Sequence, residues 1–355
     1  MNVLNKMVKH GHEQVTMYSD PEAGLRAIIA IHDTTLGPSC GGTRMWPYAS
    51  EADALADALR LSQAMTYKSA AAGLNLGGGK GVIIGDPRTD KTEGLLRAWG
   101  RFVDTLGGRY LTTTDVGTTG RALETVHQET QHVVGLDVTL GGSGDTSIMT
   151  GLGIYMGMRA CAADAWGSDS LRGRRIAMQG FGKVASHTAK HLLEDDAQIF
   201  ATDISDVALD KARQMGVTVV SPDEIYDTDC DIFAPCALGG VINAETIDRL
   251  RCRVVAGGAN NQLATPEDGE ELHRRGIIYA PDFLINAGGI INAAAEIGQP
   301  YNPDRSRQQT ERIYEQMAAV LTTSSKKEIS TARAADLLAE KRLASVRGVR
   351  NVWRG

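Results

Sequence analysis

The chain has 355 residues, 42% apolar and 23% charged, and its 37 basic and 43 acidic side chains leave a net charge of −6. That length exceeds what one hydrophobic core usually serves and predicts two domains, while the acidic balance argues against a nucleic-acid-binding surface. No apolar run approaches the roughly 20 residues needed to span a bilayer. The N-terminus lacks a signal-peptide core, and five cysteines without a CxxC pair read as reduced thiols in or near the core, so a cytosolic protein without a membrane partner is expected.

In chain order, "RAIIAIHD" reads as a buried strand over Arg26–Asp33. Ser50, with Asp53 three residues on, caps a helix whose inner positions include Leu55, Leu59, Ser62 and Met65. "GVIIGD" is a second buried strand. Leu95, Leu96, Trp99, Phe102, Val103 and Leu106 share one helical face that ends at Gly107 and Gly108. "RYLTTTDVGTTG" is a strand that enters a polar loop. The polar, glycine-rich stretch Leu140–Ser147 marks the domain boundary. Beyond it helices (148–165, 184–194, 206–214) alternate with strands ("RIAMQG", "QIFATD", "VTVV"), and "CDIFAPC", "RVVAGGA" and "IIYAPD" continue the pattern. Such alternation implies a parallel sheet covered on both faces. Helices over Arg305–Leu321 and Thr331–Ser345 close the chain. The expected organisation is α/β, with residues 1–140 as one domain, 141–330 as a second, and 331–355 as a helical tail.

Gly180, Gly182 and Ala185 in "QGFGKVA" follow a strand and open a helix, matching the dinucleotide-binding fingerprint. The turn Gly180, Phe181, Gly182 and the helix start Lys183, Val184, Ala185 would offer unpaired N–H groups to a pyrophosphate. The next strand ends at Asp203, 23 residues after Gly180, where the acid that binds the adenine ribose should stand. No arginine follows in "TDISD", and an aspartate repels a 2′-phosphate, so the cofactor expected is NAD. An exposed helix lysine is the plain reading of Lys183.

Three glycines, Gly77, Gly78 and Gly79, stand directly before Lys80. A Walker A loop is excluded, since Leu74 occupies its first glycine position and Gly81 its Ser/Thr position. Lys68, in the small-residue segment "MTYKSAAAG", is placed symmetrically with Lys80 about Leu74; a chain reversal there would turn both amines to one pocket. Burial and a neighbouring positive charge both lower a lysine pKa. A neutral Lys80 would serve as general base while a charged Lys68 binds a carboxylate. Asp115 ends a strand in a Gly/Thr-rich loop, a common place for a catalytic group. His10 and His12 lack a third ligand at helpful spacing, so no metal is expected. His187 and His191 read as a solvated helix face.

These stretches, with "GGTRMW", "DVGTT", "DIFAPCALGGVIN", "GANNQL" and "YAPDFLINAGGIIN", resemble the glutamate/leucine/phenylalanine/valine dehydrogenase family, nearest to its leucine-acting members, from about Glu13 to Ile297. The resemblance implies an N-terminal substrate and oligomerisation α/β domain, a Rossmann-type NAD domain, and a homo-oligomer, often an octamer. It implies reversible oxidative deamination of an L-amino acid to the 2-oxo acid, ammonia and NADH. Lys80 resembles the catalytic lysine, Lys68 the carboxylate-binding lysine, and Asp115 the acid exchanging protons with the amine. Gly41 and Met65 fall in the substrate-contact segments, Asn261 near substrate and nicotinamide ribose, Thr150 near the nicotinamide amide, and Ala237 at a cofactor-ribose contact.

Where the leucine-acting members commonly carry leucine, alanine, valine and valine in the side-chain pocket, this chain has Cys40, Thr113, Ile290 and Ala293. One methylene is worth only about 1–3 kcal/mol of discrimination, so these changes redistribute preference among aliphatic and larger side chains. A branched-chain substrate, L-leucine foremost, is expected, with L-valine, L-phenylalanine and L-tryptophan as alternatives. A non-catalytic nucleotide-sensing scaffold is the reading of another class, and intact Lys68, Lys80 and Asp115 speak against it.

Overall fold

A computed structural model describes residues 2–348. The chain forms two compact units: one comprises the residues up to Asp145, Ala293–Asn302 and the chain from Ala339 on; the other comprises Thr146–Asn292 and Pro303–Leu338. The boundaries expected at 140 and 330 therefore need correction, because the chain returns to the first unit twice. The first return is tied by Glu296, whose carboxylate accepts the Gly135 and Ser143 amides. The second is tied by Arg342, which donates to the carbonyls of Ser69, Ala70 and Gly73. The expected helical tail is helical over Thr331–Arg347, and its last seven residues, 349–355, lie outside the described ones.

The first unit contains α1 (Val3–His10), β1 (Gln14–Asp20), β2 (Leu25–Asp33), β3 (Ser39–Trp46), α2 (Glu51–Ala71), β4 (Gly77–Ile84), α3 (Glu93–Asp104), β5 (Tyr110–Thr114) and α4 (Gly120–His127). Its sheet runs β1-β2-β4-β3-β5, antiparallel across the first three strands and parallel across β4, β3 and β5. Period-two alternation splits β2 and β4 between two cores. Ile28, Ala30 and Val82 meet Ala54, Leu55, Ala58 and Leu59 of α2. Ile29, Ile31 and Ile83 meet Leu95, Trp99 and Phe102 of α3 and Leu123 of α4. Ser50, Thr92 and Thr119 cap α2, α3 and α4 with their side-chain oxygens.

The glycines before Lys80 belong to the strand, which starts four residues earlier than "GVIIGD" suggests. Their role is space on both faces. A side chain on Gly78 would strike Ser62 and Thr66 of α2, and one on Gly79 or Gly81 would come within 2.7 Å of the Tyr110 or Trp99 ring. The helix and the aromatics therefore close directly on the backbone around Lys80.

The second unit contains α5 (Ser147–Trp166), β6 (Arg175–Gln179), α6 (Lys183–Glu194), β7 (Gln198–Thr202), α7 (Asp206–Gln214), β8 (Thr218–Val219), β9 (Ile232–Pro235), α8 (Ala244–Ile247), β10 (Val254–Val255), α9 (Pro266–Arg274), β11 (Ile278–Tyr279) and α10 (Asp282–Ile285). It is completed by most of α11 (Gly288–Ala294), α12 (Pro303–Glu311), α13 (Ile313–Lys327) and the start of α14 (Thr331–Arg347). All six strands are parallel, in the order β11-β10-β9-β6-β7-β8. The order reverses between β6 and β9, the switch point at which open α/β sheets bind ligands. The helix expected over Arg305–Leu321 is two, parted at Arg312. His191 stacks on Tyr155 of α5, with centroids 5.2 Å apart, and the His187 Cβ lies against Gly151. That helix face packs on α5 and is not the solvated face expected. All five cysteines are free, four of them buried. Among the described residues no helix is long and apolar enough to cross a membrane.

Candidate active site

The fourth residue of β4 is Lys80, whose side chain points to the α2 face that it shares with Gly78 and Val82. The register pairs Cys40 with Gly78 and Thr43 with Gly81, which brackets Gly42 opposite Lys80; Gly42 in turn pairs with Thr113. Lys80, Gly42 and Thr113 thus form one row across the sheet, and the chain after β5 brings Asp115 to its end. Lys80 is 5% exposed, and its ammonium donates to Asp115 Oδ2. A Cβ on Gly42 would lie 2.7 Å from the Asp115 Cβ, so the missing side chain leaves the carboxylate room to reach the lysine.

A second cation shares that carboxylate. Arg44 Nε donates to Asp115 Oδ2 at 3.1 Å, and its Nη1 donates to Asp57 Oδ2 at 2.9 Å. Asp57, on α2, also accepts the Tyr48 hydroxyl at 2.7 Å and Arg60 at 2.8 Å. Burial holds the Lys80 amine below its ordinary value; Asp115 opposes this, and Arg44 reinforces it. Burial raises Asp115, but the Lys80 and Arg44 charges outweigh it and keep the carboxyl below its usual range. The arrangement is a buried amine that holds its proton less tightly than an ordinary lysine, hydrogen-bonded to a carboxylate held below its usual range.

The chain does reverse between Ala71 and Gly77, and α2 lies on the face of β4 that bears Lys80. Lys68 and Met65 are half-buried on α2. Gly41 accepts the Tyr110 hydroxyl at its carbonyl, at 2.7 Å. Cys40 is fully buried, and burial, with the nearby Glu296 carboxylate, pushes its thiol up to about 12. Thr113 is half-buried, its hydroxyl 2.7 Å from where a Gly135 side chain would stand. Ala293 is buried in the same unit.

In the second unit the glycine turn leaves β6 at the switch point. Gly180 has φ +98°, and its N–H donates to Thr202 at 2.8 Å. A side chain there would strike Ala237, which closes on the turn. Gly182 starts α6 without a side-chain cap, and a Cβ there would meet nothing within 4 Å. Uncapped N–H groups facing open space at a helix N-terminus fit a dinucleotide pyrophosphate. Phe181 and Ala185 are buried, Val184 is half-buried, and Lys183 is exposed. Asp203 takes the Phe181 amide at 2.7 Å and the Ser205 amide at 2.9 Å, so it also secures the turn. Thr150, in the first turn of α5, donates its hydroxyl to the Thr146 carbonyl, and that hydroxyl lies 2.9 Å from where a Gly289 side chain would stand. Asn261 is exposed in the left-handed region at φ +52°, and its carbonyl accepts the Gly240 amide. Ile290 is buried on α11.

Sequence reasoning overlooks five contributors: Gly42, Arg44, Asp57, Tyr48 and Glu296. The "GGTR" doublet before a strand arginine is the one local signal for Gly42. The others act through partners distant in sequence.

Residues 12–132 match the family profile described as Glu/Leu/Phe/Val dehydrogenase, dimerisation domain; residues 141–209 and 203–354 match that of glutamate/leucine/phenylalanine/valine dehydrogenase. The chain is 51% identical over 354 residues to leucine dehydrogenase of Thermoactinomyces intermedius, covering 99% of this chain and 96% of that one. It is 48% identical over 346 residues to phenylalanine dehydrogenase of Bacillus thermotolerans, covering 96% and 90% respectively. The crystal structure of L-tryptophan dehydrogenase from Nostoc punctiforme matches with a TM-score of 0.86 and 43% identity, covering 97% of this chain and 99% of that one.

Proposed function

The chain belongs to the glutamate/leucine/phenylalanine/valine dehydrogenase family and is an amino acid dehydrogenase, and on that premise we propose that it carries out NAD-dependent, reversible oxidative deamination of a branched-chain L-amino acid, L-leucine foremost. The observation that carries this reading is the buried Lys80 amine, hydrogen-bonded to ionised Asp115. The Gly180–Gly182 turn and the start of α6 would hold a nicotinamide dinucleotide, which would supply the hydride acceptor of the reaction. Lys68 holds the substrate carboxylate. Neutral Lys80 removes a proton from water as it adds to the imine carbon, and Asp115 exchanges protons with the departing nitrogen. Loss of solvent around Lys80 strengthens each of these interactions.

NAD is favoured over NADP by the Asp203 carboxylate beside the turn, with no arginine in "TDISD". Thr150, Ala237 and Asn261 are proposed cofactor contacts. Cys40, Gly41, Met65, Thr113, Ile290 and Ala293 are proposed substrate contacts, and the chain is proposed to work as a homo-oligomer, which light scattering tests.

The test of the activity is the rise in absorbance at 340 nm with L-leucine and NAD at alkaline pH. Lys80→Ala should lose at least about 10²-fold in kcat, the low end of general-base catalysis. Equal rates in the two proteins would remove Lys80 from the mechanism. A panel with L-valine, L-phenylalanine and L-tryptophan tests the substrate; a tenfold preference for L-phenylalanine would defeat the branched-chain assignment.

A further inference from the structure

Resting on the reading of Lys80 as the base, we infer that Arg44, anchored by Asp57 and Tyr48, is a positioning residue that divides the Asp115 carboxylate with Lys80 and so leaves the lysine able to give up its proton. The two cations converge on one oxygen, Asp115 Oδ2. A carboxylate shared in this way attracts each partner less than it would attract one alone. Arginine stays charged at all working pH values, so of the two it is the lysine that yields its proton.

The arginine is held in place for this. Its fork spans two carboxylates, Nε to Asp115 and Nη1 to Asp57. Asp57 is kept ionised, since Tyr48, Arg60 and Arg44 outweigh the cost of its burial. The charged groups facing Lys80 are Arg44 from β3, Asp115 from the chain after β5, and Asp57 from α2. Tyr48 and the exposed Arg60 complete the set, and half-buried Lys68 lies further along α2. Without Arg44, Asp115 would pair with Lys80 alone and hold its proton. Without Asp57, a negative charge that favours the ammonium form disappears, and Arg44 rests on Asp115 alone.

Removing the two groups therefore moves the base in opposite directions, which a merely structural role would not do. The experiment is the pH profile of kcat/KM on the full-length enzyme, with NAD and its preferred amino acid. R44Q moves the acid limb upward by about one pH unit, a roughly tenfold loss on the limb, and R44K returns it toward the wild-type position. D57N moves it downward. A lower plateau with an unmoved limb in R44Q, or an upward shift in D57N, overturns the inference. Should R44Q lose its near-UV circular dichroism and fail to fold, the direction in D57N decides. Lys80→Ala separates the levels: if it keeps the wild-type rate, the reading of Lys80 falls and this inference with it. If Lys80→Ala is inactive while R44Q leaves the limb in place, only the role of Arg44 falls.

Discussion

Gly42 on β3 and Asp115 beyond β5 approach so closely that a methyl group on the glycine would stand 2.7 Å from the aspartate Cβ and 2.5 Å from the Thr114 carbonyl oxygen. Neither neighbour is a flexible side-chain end. The carboxylate meets Lys80 only because one strand position in the row between them carries no side chain.

Gly42→Ala is expected to push Asp115 off Lys80. Misplacing a reacting group by about 1 Å costs on the order of 10²-fold in rate, so kcat/KM should fall by about that much. Overpacking against backbone adds a stability loss of about 1–3 kcal/mol. Steady-state kinetics together with urea unfolding check both effects; a variant of wild-type kcat/KM would show that the glycine is not needed for the contact.

Asp203 should discriminate between the two dinucleotides by its charge. Asn in its place keeps one oxygen, which can accept the Phe181 amide, 2.7 Å away in the wild type, but loses the acceptor of the Ser205 amide, and it removes the repulsion toward a 2′-phosphate. D203N is therefore expected to lower the ratio of kcat/KM with NAD to that with NADP at least tenfold, with a modest fall in Tm from the lost Ser205 bond. An unchanged ratio would leave Asp203 with its turn-holding role alone.

Acid sensitivity should arise beneath α1. His12 is 8% exposed, its ring is 4.8 Å from that of His32, and its Nε2 faces the Leu59 carbonyl at 3.0 Å. Burial and the neighbouring His32 hold His12 down to about 4. An unfolded histidine takes up its proton near 6.5. Between those values the unfolded chain binds more protons, so stability falls as the pH drops through that window and is fully retained above it. His32, also lowered by burial, acts in the same direction. Unfolding free energies from urea titrations at pH 7 and pH 5 should differ by about 1–2 kcal/mol more in the wild type than in His12→Gln. Equal differences would mean that His12 titrates normally.

The second unit is largely legible from local pattern. Its strands are short apolar runs bounded by glycines and helix caps, and the turn at Gly180, Phe181 and Gly182 announces itself between β6 and α6. The first unit is less so. β1 reads "QVTMYSD", with no buried residue, because it is an edge strand that no apolar face distinguishes. β3 carries two glycines and an arginine, and β4 opens on three glycines, residues that weaken a strand signal. There the packing of α2 and of the Trp99 and Tyr110 rings on the backbone overrides propensity.

Sequence by itself determined the α/β class and the glycine turn between β6 and α6, and it pointed to Lys80 and Asp115 as candidates, because each of these signals lies in residue types within a few positions of one another. Tertiary structure alone decided which charges meet. Lys80, Arg44, Asp57 and Asp115 come from two strands, a helix and a loop. Their proximity follows from strand order and register in a folded sheet, and electrostatic coupling depends on distance in space, to which separation along the chain gives no guide.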